Sequence, residues 1–211
     1  MAKICKLFLS LSFLFFSAST FVQAKSGDSI VYLGTSSGDG DIKLSGTTYS
    51  VDTESTGIGG ITFLDGNLYL SGSISSGELT LAGIEIDSDV TKFGIGFYEG
   101  DLDYRNGTGE QFMFGVSGRD VEVSLGSVSS SETYYSIGFD NSFGFGDGFI
   151  FGFGYDTDTE DLFSDNSYYG SQMKAWGSTL IEFSIGYSKS VTDANNSSDS
   201  TSIGLRVGGV F

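Results

Sequence analysis

The sequence predicts an all-β protein, a transmembrane up-and-down antiparallel β-barrel, and three observations carry that prediction. Apolar residues recur at every second position, as in Phe149-Ile150-Phe151-Gly152-Phe153-Gly154-Tyr155, where one parity is wholly aromatic and the other is Ile and Gly. A period of two belongs to strands. The parity opposite the large apolar side chains is mostly Gly, Ser and isolated charges, in place of the Thr, Lys and Glu of a solvated sheet. Large apolar residues outside and small ones inside suit a narrow barrel in lipid better than a secreted β-sandwich with a dry core. Finally, the 211 residues include no Pro, which fits a sheet whose every N–H must be paired.

Taken in order, Met1–Ala24 reads as a secretory signal peptide. Lys3 and Lys6 form a positive start, Leu7 to Phe16 an apolar stretch too short to span as a helix, and Val22-Gln23-Ala24 a small-residue cleavage site. The single Cys5 leaves with it. Residues 25–211 then form one domain with 8 basic residues against 27 acidic, a net charge of −19 where the whole chain carries −17. An exported domain without Cys folds without disulfides. The acidic balance excludes nucleic-acid partners, which need clustered Lys and Arg. The chain also has no His, which removes Ser–His hydrolysis, His general-base chemistry and His-containing zinc sites.

The alternation places twelve strands at approximately 29–36, 54–63, 67–75, 90–98, 101–107, 110–117, 121–127, 132–143, 148–156, 166–175, 178–188 and 202–211. A crossing strand needs about 10 residues, so sixteen strands do not fit; twelve is the favoured count, with ten or eight as alternatives. A weak internal repeat relates Val51–Leu70 to Ile86–Tyr104, each a pair of strands around a tight turn at Asp65-Gly66 or Glu99-Gly100. A looser copy turns at Gly146-Asp147-Gly148. The parity flip between Val116 and Val121 marks a further turn near Gly118-Arg119-Asp120. Repeated hairpins of this kind build an up-and-down sheet.

With signal peptide, alternating strands and a last strand ending in Phe211, the chain resembles Gram-negative outer-membrane β-barrel proteins. The resemblance implies residence in the cell outer membrane, contact with its lipid and lipopolysaccharide, and both termini on the periplasmic side. It also implies recognition of the last strand by the barrel assembly machinery, through apolar residues at alternate positions back from a terminal aromatic. Ile203, Leu205, Val207 and Phe211 match that pattern, and Gly209 departs from it.

The inward parity carries few charges: Lys92, Asp103, Arg105, Glu122, Glu182 and Arg206, with Glu182 and Arg206 on neighbouring strands. They are candidates to line the lumen, as an ion-pair network filling it or as a constriction sorting solutes by charge. Acidic residues fall in three segments expected as external loops: Asp39, Asp41, Asp52 and Glu54; Glu85, Asp87 and Asp89; and Asp156, Asp158, Glu160, Asp161 and Asp165. The last lacks the Gly and terminal Glu of an EF-hand, so no metal or other cofactor is expected. Tyr32, Phe63, Tyr69, Tyr98, Tyr104, Tyr134, Tyr135, Tyr155, Tyr168, Tyr169, Trp176 and Tyr187 fit an interfacial girdle. No catalytic residues are expected. The function expected first is a porin-like passive channel for small solutes. The alternative is a closed structural or adhesin-like barrel whose acidic loops bind partners.

Overall fold

The computed structural model describes residues 27–159 and 165–211. The expected signal peptide, and Glu160 and Asp161 of the third acidic segment, lie outside the described residues. Ten strands follow in chain order: β1 Ser29–Leu44, β2 Thr47–Leu64, β3 Leu68–Leu81, β4 Ile84–Gly100, β5 Thr108–Leu125, β6 Val128–Gly146, β7 Phe149–Asp158, β8 Asp165–Trp176, β9 Thr179–Asp193 and β10 Asn196–Val210. Each pairs antiparallel with the next, and β1 also pairs with β10, so the sheet closes. Closure leaves no unpaired edge.

The strand count is ten, not twelve, and two features account for the difference. Residues 101–107 are the connection between β4 and β5. There Asp103 Oδ1 accepts hydrogen bonds from the backbone N–H of Arg105 and of Asn106. Residues 110–117 and 121–127 are two halves of one strand, β5, whose register with β4 and β6 runs unbroken through Gly118-Arg119-Asp120. The parity flip read as a turn is the level at which the apolar side of the strand changes. Phe112, Phe114 and Val116 face outward, whereas Val121 faces inward and is fully buried.

The same inversion runs through β2, β3 and β4. Ile58, Leu70, Ile74, Phe93, Ile95 and Phe97 are exposed on the outer face, while Val51, Leu79, Leu81, Ile86 and Val90 are buried inside. β1 to β6 are 14 to 19 residues long, against the roughly 10 that a crossing needs. The surplus stands beyond the apolar band at the end away from the termini, here the distal end. There the strands follow the rule of a protein in water, apolar inward and polar outward. Ile42, Val51, Leu79, Leu81 and Ile86 form one inner cluster, and Val90 with Val121 a second.

The acidic segments expected as loops are therefore mostly strand. Asp39, Asp41, Asp52, Glu54, Glu85, Asp87 and Asp89 are exposed residues of β1, β2 and β4. Asp156 and Asp158 belong to β7, and Asp165 opens β8. Several connections are two-residue turns. Ala82-Gly83 (φ 51° and 79°) and Asp147-Gly148 (φ 52° and 76°) have positive φ at both positions, the geometry that matches the twist of a hairpin.

At the proximal end, which carries both termini, the interior is filled by a single apolar cluster. It draws Ile30 from β1, Ile61 and Phe63 from β2, Tyr69 from β3, Tyr98 from β4, Met113 from β5 and Ile150 from β7. Met173 and Ala175 of β8, Leu180 of β9 and Val210 of β10 complete the ring. Leu102 and Tyr104, from the β4–β5 connection, fold into its middle and are 1% and 2% exposed.

Candidate functional site: the lumen

The small inward residues have a specific use. A Cβ at Gly59 would lie 2.6 Å from Tyr32 Cζ, and one at Gly96 would lie 2.6 Å from Tyr69 Cε1. Tyr169 likewise lies over Gly154. Inward glycines thus make room for tyrosine rings laid across the wall. Six residues assigned to the girdle, Tyr32, Tyr69, Tyr98, Tyr104, Tyr134 and Tyr169, face inward, as does Phe63, because parity and not strand-end position decides the face. Tyr135, Tyr155, Tyr168, Tyr187 and Trp176 are on the outer side. Lys174 shares that outer side; its ammonium donates to the Asp147 carbonyl and lies 3.9 Å from the centroid of the Phe149 ring, so the charge reaches the turn while the stem stays among aromatics.

Between the proximal plug and the distal core lies a layer of buried charge. Arg206 Nη1 is 3.6 Å from Glu182 Oε2 across the β9–β10 register, and the guanidinium stands 5.0 Å from the Tyr32 ring centroid. Lys92 Nζ is 3.6 Å from Asp156 Oδ2. Arg119, 3% exposed, is the register partner of Lys92 on β5 and has Asp156 and Asp158 among its acidic neighbours. Asp140, 6% exposed, comes from β6. Above this layer, Tyr134 donates to Glu132 Oε2 at 3.2 Å. Burial and then the Glu132 carboxylate push its phenol above the usual range.

Of the residues expected to line the lumen, Lys92, Glu182 and Arg206 lie there together. Asp103 and Arg105 are in the proximal β4–β5 connection, with Arg105 exposed. Glu122 is a correction: it is exposed on the outer face of β5, opposite Asp89 of β4. Taking Val121 and Val123 as lipid-facing placed their neighbour inside, and the inversion reverses that. Arg119, Asp140, Asp156 and Asp158 were missed. Continuing the small inward parity would have found three of them, as Gly115-Ser117-Arg119, Gly138-Asp140-Ser142 and Gly152-Gly154-Asp156. On the outer side of β10, Ile203, Leu205 and Val207 are half-exposed and Phe211 is 74% exposed.

The interior is packed. Ser136, Ser167, Ser184, Ser188, Ser198 and Ser200 face inward yet are buried, because side chains this small let the walls approach. Between Tyr69, Lys92, Asp140, Asp156 and Tyr169 remains a cavity of about 20 Å³, the space of a single water. Such an interior suits fixed electrostatic contacts between neighbouring charges.

No protein-family model matches the chain, and no curated protein matches its sequence. Among solved structures, it is similar to an outer membrane channel from Pseudomonas putida F1, at 9% identity and a TM-score of 0.49, over 92% of this chain and 98% of that one. Neisserial surface protein A is 12% identical with a TM-score of 0.39, over 84% of this chain and 96% of that one. Ail, the attachment invasion locus protein of Yersinia pestis, is 11% identical with a TM-score of 0.40, over 88% and 99%. Like these outer-membrane proteins, the chain is an antiparallel β-barrel.

Proposed function

We propose that this chain is an integral outer-membrane barrel that acts as a closed structural element, with an acidic distal rim that meets partners at the cell surface. The observation that carries this reading is the plugged interior, with Leu102 and Tyr104 folded into the proximal mouth and almost fully buried. A passive channel needs a continuous file of water, and an apolar seal of this kind opposes one. The rim takes over the role first given to loops, since its carboxylates stand on strands and are held in fixed register.

The apolar outer belt, the aromatic residues at its margins and the terminal strand Ile203-Leu205-Val207-Phe211 support residence in the outer membrane, with lipid and lipopolysaccharide as surroundings and the assembly machinery as a partner. In this orientation the proximal end faces the periplasm. No enzymatic role is included, since the chain has no His to serve as a general base.

The test is conductance. Purified protein in planar bilayers is expected to stay silent across a range of salt and voltage. Stepwise conductance from the wild-type protein would overturn the closed reading in favour of a solute channel.

A further inference from the structure

We propose that the centre of the barrel binds one small monovalent cation, held by the carboxylates of Asp140 and Asp156 and the hydroxyl of Tyr169. The site is the cavity of about 20 Å³ walled by β3 to β8, large enough for one water-sized guest. Three oxygens bordering it, Asp140 Oδ1, Asp156 Oδ1 and the Tyr169 hydroxyl, are buried and have no hydrogen-bond partner among the described residues. Asp140 and Tyr169 are 6% and 7% exposed. A side chain at Gly154 would collide with the Tyr169 hydroxyl and Asp140 Oδ1 alike. The two oxygens therefore converge over one point of the wall, and the glycine keeps that point open.

Charge balance selects the guest. Asp140 and Asp156 bring two negative charges to the cavity and Lys92 one positive. Glu182 and Arg206 compensate each other. Arg119 does not border the cavity, and it has Asp158 and Asp165 as further acidic neighbours besides Asp156. One unit of negative charge is left in a packed interior, where an uncompensated ion is costly. Apart from the Lys92 ammonium, which faces Asp156 Oδ2, the polar side chains that border the cavity offer oxygens, including those of Ser71 and Ser117, and oxygens suit a hard cation. Two carboxylates border the cavity and one of them already faces the Lys92 ammonium, so a single positive charge is the match. The inference does not depend on what the rim binds.

The experiment is thermal unfolding of the folded protein in detergent micelles, in NaCl against choline chloride at equal ionic strength. Choline is too large for the cavity and serves as the screening control. The Tm is expected to rise with Na+ concentration and not with choline, as for a ligand that binds only the folded state. Asp140→Asn is expected to abolish the difference between the salts. Tyr169→Phe removes one oxygen from the ion and keeps the ring, so it raises the Na+ concentration at half-effect roughly tenfold; it carries the test if Asp140→Asn does not fold. Equal Tm in the two salts would overturn the proposal. So would a Na+ response unchanged in both variants, which places the ion on the outer carboxylates, or a Tm governed by pH and indifferent to the cation, which places a proton on Asp140.

Discussion

Arg206 and Glu182 show what a single residue does in this interior. Both side chains are under a tenth exposed, and their charges meet at 3.6 Å. Removing one leaves the other uncompensated, so Arg206→Ala is expected to lower unfolding stability by about 3–5 kcal/mol. Replacing both, as Arg206→Met with Glu182→Leu, should recover most of it, read from urea midpoints in micelles. This pair was legible in the sequence because its members share the inward parity of two clearly alternating neighbour strands. Arg119 was hidden because the flip around it resembles a turn. Asp140 and Asp156 sit on the same parity as glycines, and one charge among glycines carries little periodic signal. Which glycine lies under which tyrosine depends on cross-strand register, and no single strand contains that information.

At the scale of the element, each long strand serves two solvents. Its proximal part presents apolar residues outward and its distal part buries them, with no break in pairing. Hydrophobic periodicity finds strands by assuming one environment along each; that assumption located the ten hairpin arms but cut β5 in two. On the outer distal face the register sets carboxylates directly opposite one another: Asp39 and Asp52, Asp41 and Asp199, Glu54 and Glu78, Glu78 and Asp87, Asp89 and Glu122. Like charges so placed repel. Glu122→Lys, facing Asp89, is expected to gain about 0.2–1 kcal/mol at low salt, and the gain should fade above 0.5 M NaCl as screening removes the repulsion it relieves. The turn at Ala82 carries a different local cost, a β-carbon at φ 51°. Ala82→Gly is expected to raise stability by about 1 kcal/mol, measured as a shift in the urea midpoint.

For the whole molecule, stability and the proposed closure have the same source. The apolar cluster at the proximal mouth ties nearly every strand together through the inward-folded β4–β5 connection. Leu102→Ala with Tyr104→Ala is expected to cost about 2–5 kcal/mol for each truncated side chain. If the seal alone blocks the mouth, this double variant should conduct in planar bilayers where the wild type is expected to stay silent. The overall architecture was readable from alternation, the absent Pro and the Gly turns. The seal was not, since residues 101–107 look like one more short strand until their contacts are seen.

The inversion of faces also bears on how the molecule reaches its final position. A barrel entering from the side of its termini must carry its far rim through hydrocarbon, and that rim wears opposed carboxylates on the surface that touches lipid during passage. Charged side chains at the bilayer centre are expensive, so the proposed membrane residence implies a translocation barrier that equilibrium stability does not reveal. Insertion into protein-free vesicles is therefore expected to be slow. Substituting Asn or Gln along Asp39, Asp52, Glu54 and Glu78 should accelerate it, as followed by the rate at which the heat-modifiable band appears, while leaving the final yield of folded barrel unchanged.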